Sequence, residues 1–458
     1  MESFSLYKRF LSLIGISLGC IAMGLVFTMV NTSIPSIQKA LGIPLHQMQW
    51  MMMSFGIINC AFLVTSGRLA DIYGRKKVFL LGLSFSGIGM IVGGVSQGIG
   101  TLVLSMSLAG LGNAILLPVS QAMMVTEFPE SQKSRAIAIW ASTVAYSMAM
   151  GPLVAGALLE AFYWRWVFWL MIPFFVISFV VIVLFATESK NTVDSSMVDL
   201  KGMFLIGVCL SSFVVLVTEF NQLSMLLKGS FVIAIVVTFW RLWKHSHLFP
   251  SPILLPELVK KREFLGASIA SACLIFYIWA TFFILPIFLQ NIRQLSSLTT
   301  GLLMLGITIP VILFSPIVGK KYQPHRAWIF ISVGFLFLIF SSLFQVFFSP
   351  SSSLLYILLA TLLYGIGYSL ICSPSTTAAI AIVPPYRAGV ASGTFVTFQE
   401  IGGTIGLAFV VTIVRLNSSL AVGIQKGSYV LLLIGVIGIL CSILLKPQRL
   451  KRGIADLP

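Results

Sequence analysis

The stretch Gly67-Arg68-Leu69-Ala70-Asp71-Ile72-Tyr73-Gly74-Arg75-Lys76-Lys77 is a short polar string held between two apolar runs, and the reading of the whole chain turns on it. Gly67 and Gly74 allow a tight turn between two helices. Asp71 stands among the cations Arg68, Arg75, Lys76 and Lys77, where it can build a charge network at a helix end. Taken alone, the string is a basic loop. What lies on either side decides whether it is more.

Outward from it the chain is apolar in both directions. The 458 residues are 58% hydrophobic and 9% charged, with a mean hydropathy of +1.02, whereas a soluble domain carries roughly a quarter of its residues as charged side chains. Such a chain does not dissolve in water. Its apolar runs recur near the ~20 residues that a helix needs to cross the hydrocarbon core, about twice the length of a barrel strand. The expected fold class is therefore an all-α membrane protein. The runs fall at 10–31, 48–66, 78–97, 101–125, 136–160 and 164–187, then 202–219 and 226–243, then 264–290, 297–318, 327–348, 353–380, 389–414 and 427–445. That is six, two and six, or fourteen transmembrane helices. It divides the chain into an amino-terminal bundle over 1–190, a central linker with two extra helices over 191–262, and a carboxy-terminal bundle over 263–458.

An even number of crossings puts both termini on one side, and the charges select the side. With the termini in the cytoplasm, only Lys39, Arg165, Lys228, Arg293, Arg415 and Lys426 of the 29 Lys and Arg lie outside, the bias that topogenesis imposes. The signature string and the connectors Thr187 to Lys201 and Lys244 to Arg262 are then cytoplasmic. The formal charge of +16 would also suit a nucleic-acid binder, but its cations lie in short clusters between apolar runs rather than along one face, so no nucleic-acid partner is expected. Met1 to Arg9 is polar and basic, and the run after it is too long for a cleaved signal and lacks a small-residue cleavage site. The first helix is expected to be retained.

Chemistry-bearing patterns are few. Cys20, Cys60, Cys209, Cys273, Cys372 and Cys441 stand singly inside apolar runs and read as packing residues. His46, His245, His247 and His325 lie in loops or at span ends, and no paired intramembrane Asp or His-Glu motif occurs. No Gly-rich loop ending in Lys-Ser or Lys-Thr is available to cradle ATP. Neither a catalytic centre, a metal site nor a cofactor is expected, and pumping would draw on an ion gradient.

The string Gly67 to Lys77 closely resembles the signature loop between helices 2 and 3 of the major facilitator superfamily. Gly151-Pro152-Leu153-Val154-Ala155-Gly156 in the fifth run resembles the Gly-Pro signature of antiporters in that superfamily. Pro152 cannot donate to the helix ladder, and the small residues Gly151 and Gly156 let another helix approach, which suits a bend that opens or seals one side. Asn31-Thr32-Ser33-Ile34-Pro35, Trp50, Trp164-Arg165-Trp166-Val167-Phe168, Pro173, Phe288-Leu289-Gln290 and Gly389-Val390-Ala391-Ser392-Gly393 extend the resemblance, over nearly the whole chain, to the fourteen-helix drug:proton antiporter family. The resemblance implies two six-helix bundles rocking around a central cavity, and export of amphipathic, often cationic compounds in exchange for protons. It implies a small-molecule substrate, protons and membrane lipid as partners, a location in the cell inner membrane, and a monomer.

Two departures bear on coupling. Members of the family commonly carry an Asp five residues before the position of Asn31, where this chain has Val26, and the Arg and Gln of their fourth-helix signature are replaced by Met106 and Ala109. Charges in the bilayer core are costly and functional by default. Glu160 and Glu219 sit at outer span ends as interfacial anchors, while Glu400 lies about twelve residues, or ~18 Å of helix, into the thirteenth run. A carboxylate at that depth is costly to keep charged, so it is the candidate that takes up and releases a proton. Asn31, Asn59, Asn113 and Gln121 are candidate cavity or helix-contact residues. A transporter of one metabolite, nutrient or siderophore, without proton coupling, remains the alternative reading, and Val26 and Met106 favour it.

Overall fold

The computed structural model describes residues 2–127, 130–189, 198–249, 252, 256–382, 388–417 and 419–446. They form sixteen α-helices: α1 Glu2–Leu41, α2 Leu45–Tyr73, α3 Arg75–Gly94, α4 Ile99–Glu127, α5 Glu130–Ala161, α6 Trp166–Trp169, α7 Met171–Phe185, α8 Leu200–Thr218, α9 Met225–Leu248, α10 Pro256–Val259, α11 Arg262–Ile287, α12 Ser297–Lys321, α13 Ala327–Val346, α14 Leu354–Ile380, α15 Ala388–Arg415 and α16 Leu420–Ile443. No strand occurs among the described residues. Helices are the form in which such apolar runs satisfy every backbone group without water. Prolines inside α1, α4, α5, α11, α12 and α14 are accommodated in the same way, since neighbouring helices and hydroxyls re-satisfy the freed carbonyls.

Each expected run falls on helix, the sixth being divided between α6 and α7. Among the described residues, twelve helices are long and apolar enough to cross a membrane, or thirteen with α2, which bends by 50° near its middle. The expected fourteen thus exceeds what length and composition return. The run outside the count is the fifth, on α5.

α1 to α7 pack as one bundle, with α2 and α3 against α4 and α1 against α5 and α7. α11 to α16 form a second, in which α11 lies on α14, α15 and α16, and α13 on α14 and α16. The bundles meet chiefly where α5 lies on α12, α2 on α15 and α1 on α11. α8 covers the α2/α15 seam, touching both, while α9 packs on α8 and leaves Ile233, Val236 and Phe239 exposed.

The polar string that opened the sequence is largely helical rather than a loop. Gly67 to Tyr73 complete α2, α3 starts at Arg75, and the turn is confined to Gly74 at φ +109°. Leu69, Ala70, Ile72 and Tyr73 all favour continuing the helix over leaving it, so only the one residue that tolerates positive φ breaks it. Gly67 is instead a packing residue, facing Pro118 of α4, which a Cβ would meet at 3.7 Å.

Candidate transport site

The turn at Gly74 is held by charge from two directions. Arg75 Nη2 and Nε donate to Asp71 Oδ1 at 2.9 and 3.2 Å, one helical turn back. Glu188, beyond the end of α7, accepts from the backbone of Lys76 and Lys77 at 3.0 and 3.3 Å and so caps the positive start of α3. Lys76 Nζ donates in return to the carbonyls of Val183 and Ala186 at the end of α7, 2.8 Å each. The signature string therefore fastens α2, α3 and α7 together. Sequence reasoning does not find Glu188, because more than a hundred residues separate it from the turn it caps.

The bend motif faces the other bundle. A Cβ on Gly156 would come within 2.5 Å of the Ser297 carbonyl of α12, and one on Gly301 within 2.5 Å of the Pro152 carbonyl. The two glycines thus make reciprocal backbone contacts between α5 and α12. Gly151 lies against Thr28 of α1. These contacts sit toward the face opposite the Gly74 turn, called here the far face. Glu160, read as an anchor, is also there, accepting from the Leu298 backbone at the start of α12.

Glu400 lies near the middle of α15, Asn59 midway between Leu45 and Tyr73 on α2, and Asn113 midway between Ile99 and Glu127 on α4. Asn113 Nδ2 donates to Asn59 Oδ1 at 3.0 Å, and Asn59 Nδ2 donates to Glu400 Oε2 at 2.7 Å. Asn59 turns its carbonyl toward one neighbour and its amide toward the next, so a single chain of hydrogen bonds runs from the first bundle into the second at mid-depth. Next to it, Gln399 Nε2 donates to Ser271 Oγ of α11 at 2.6 Å.

Above the carboxylate, toward the far face, Phe27, Phe55 and Trp279 cluster with ring centroids 4.8 to 6.1 Å apart. Three helices, α1, α2 and α11, each supply one ring, so the cluster seals the seam between the bundles on that side. Beyond it Gln290, in the π-helical turn Phe288–Ile292 after α11, donates to the Thr32 carbonyl of α1.

The other candidates stand apart. Asn31 is buried, its amide bonded to the Phe27 carbonyl of its own helix and its Oδ1 without a partner in the protein. Gln121 is half-buried on α4, two turns toward the Gly74 face from Asn113 and outside the hydrogen-bond chain. Val26 and Met106 are buried apolar packing residues. Among the described residues, no group of His, Cys, Asp or Glu is arranged to hold a metal ion.

A helical protein of two bundles, meeting at a seam with a carboxylate at mid-depth, has the build of a membrane transporter. The family model of the Major Facilitator Superfamily matches residues 16–407, and the chain belongs to that superfamily. It is 30% identical over 409 residues to the multidrug resistance protein Stp of Mycobacterium tuberculosis, covering 87% of this chain and 75% of that one. It is 25% identical over 402 residues to the riboflavin transporter RibZ of Clostridioides difficile, covering 88% and 87%. Among solved structures, a POT family transporter in complex with a thioalcohol-conjugated peptide shares the fold with a TM-score of 0.70 at 16% identity, covering 94% of each chain. The chain is a transporter and not an enzyme, as its motifs implied.

Proposed function

We propose that this protein exports small amphipathic or cationic organic compounds across the bacterial inner membrane in exchange for protons, with Glu400 carrying the proton. The observation behind this reading is the Asn113 to Asn59 to Glu400 chain, which ties the two bundles together through one ionisable group. A hydrogen bond to an ionised carboxylate is about twice as strong as one between neutral groups. Protonating Glu400 weakens its hold on Asn59, and releasing the proton restores it. Proton occupancy thereby biases how firmly α2 and α15 are joined, which is the coupling that an exchanger needs.

In this reading the chain crosses the membrane fourteen times, α5 included, and is divided as the sequence suggested. The Gly74 face and both termini are cytoplasmic, in keeping with the distribution of Lys and Arg. The protein acts as a monomer on membrane-dissolved substrates. The name of Stp supports a drug substrate. A second reading, transport of one specific metabolite, draws on the name of RibZ and on the apolar Val26 and Met106. Flux of candidate compounds in vesicles with an imposed pH gradient separates the two. Several unrelated cations driven by the gradient support export of drugs, and a single compound indifferent to it supports the alternative.

A further inference from the structure

The central pair of helices has no part in the site described so far, yet α8 reaches both bundles at the far face. Glu219, the residue that caps the end of α8, meets α2 and α15 at once. Its Oε1 accepts from Trp50 Nε1 of α2 at 3.4 Å and lies 3.6 Å from Arg415 Nη1 at the end of α15. Arg415 Nη2 donates to the carbonyl of Thr218, the last residue of α8. One carboxylate therefore takes a hydrogen bond from the first bundle and an ion pair from the second, and the cation it pairs with is tied back to the same helix. Both charged side chains are largely withdrawn from solvent, at 16% exposure for Arg415 and 20% for Glu219, where an ion pair is screened less than at an open surface.

A second, independent observation lies just behind this contact. Gln49 is fully buried with neither side-chain amide atom partnered in the protein, and the Thr412 hydroxyl is likewise buried and unpartnered. Both stand on the helices that form the seam, Gln49 on α2 and Thr412 on α15. The contacts of Asn59 with Glu400 and of Gly56 with Thr404 fix an antiparallel register for α2 and α15, which brings Gln49 level with residues 410 and 411, within one or two residues of the level of Thr412. Unsatisfied polar groups are expensive to keep in a closed apolar interface. Gln49 and Thr412 gain partners when the seam parts and water reaches them, so they oppose closure, and whatever holds the seam shut must outweigh them.

We propose that Glu219 is the positioning residue of the far gate: through it the first helix of the central pair clamps α2 to α15, and the seam behind the clamp, lined by Gln49 and Thr412, is the watered route to Glu400 when the clamp lets go. That the route delivers a proton to Glu400 rests on the function proposed above, whereas the clamp itself does not. The extra helices are in this view a working part of the gate rather than a spacer between bundles. Of the pair, α8 packs on the seam and α9 packs on α8, which accounts for the difference between the buried flank of α8 and the exposed α9.

Single cysteines replacing Gln49 or Thr412, in full-length protein whose native cysteines are changed to serine or alanine, report the gate. The protein is reconstituted in vesicles, and an impermeant thiol reagent is applied from the far face. Glu219→Gln should raise the labelling rate at both positions by roughly tenfold or more, the shift expected when loss of a charge-assisted contact moves a two-state equilibrium. Arg415→Gln should do the same, and Trp50→Phe should do so more weakly. Exchanging the charges, with Glu219→Arg and Arg415→Glu together, should bring the rate back toward that of the parent, which a merely destabilised protein would not do. Unchanged labelling in Glu219→Gln, or an equal rise in the charge-exchanged protein, would overturn the clamp. Glu400→Gln, tested for gradient-driven accumulation in the same vesicles, reports on the proton site alone, so either idea can fail without the other.

Discussion

Asn59 Nδ2 lies 2.7 Å from Glu400 Oε2, and this one contact joins the middle of α2 to the middle of α15 across the boundary between the bundles. Its partners differ in what they lose when it breaks. Asn59 keeps Asn113 as a donor to its carbonyl, whereas Glu400 loses a hydrogen bond to its charge.

Asn59→Leu should therefore be more damaging than Asn113→Leu. Leucine fills a similar volume but leaves the Glu400 carboxylate without its donor, a cost of about 1–3 kcal/mol or more for a charged group. Expected outcomes are a lower melting temperature of the purified protein and slowed exchange, with Asn113→Leu milder in both. Equal effects would mean that the asparagines act as packing residues.

Gly156 tests the reciprocal contact between α5 and α12. Gly156→Val pushes a branched side chain into the Ser297 carbonyl, and overpacking of this kind costs about 1–3 kcal/mol. Because the contact joins the two bundles toward the far face, the variant should also show faster thiol labelling at cavity positions from that face. Gly301→Val should match it, since the two glycines face each other's backbones.

Asp71 supports the turn at the opposite face, pairing with Arg75 at 2.9 Å while remaining 39% exposed. Asp71→Asn should leave membrane insertion intact, impair transport, and raise labelling of cavity cysteines from the Gly74 face. The start of α15, which would be the second partner of Asp71 when that face closes, has its side chains outside the described residues. Full transport with unchanged labelling would remove Asp71 from the gate.

The topology can be checked without any substrate. Reporter fusions at Ser195 and Pro250, both outside the described residues, should read cytoplasmic, and one at Gln222, between α8 and α9, should read external. A cytoplasmic reading at Gln222 would show that the central pair does not cross.

Much of this architecture is legible in the sequence because apolar runs of membrane-crossing length mark their own extent, and each expected run lies on helix, the sixth being divided between α6 and α7. The polar string is the local exception: Gly67 reads as a turn residue, yet it is a helical glycine packed near Pro118, and the two are indistinguishable in sequence. Glu400 stands out by depth alone. Its connection to Asn59 and Asn113 is not legible, since nothing local states which face of α2 meets α15. Glu188 and Glu219 escape notice as partners for the same reason: Glu188 reads as part of a polar connector and Glu219 as an interfacial anchor until the helix beside each is known.

Glu400→Gln is the decisive variant for coupling. Glutamine keeps the shape of the side chain and an oxygen for Asn59 to donate to, so the chain of hydrogen bonds and the packing of α15 on α2 should survive, and the melting temperature should change little. What it removes is the charge and its titration. If the strength of the Asn59 contact is what protons modulate, accumulation against a substrate gradient should vanish, while downhill exchange, which needs only the rocking of the bundles, should persist and lose its dependence on pH. The elements around the site make the expectation specific: Val26 and Met106 are apolar and buried, so no group at those positions can substitute for Glu400. A glutamine variant that still accumulates substrate with the parent's pH dependence would assign Glu400 a structural role and favour the uncoupled, single-substrate reading of this transporter.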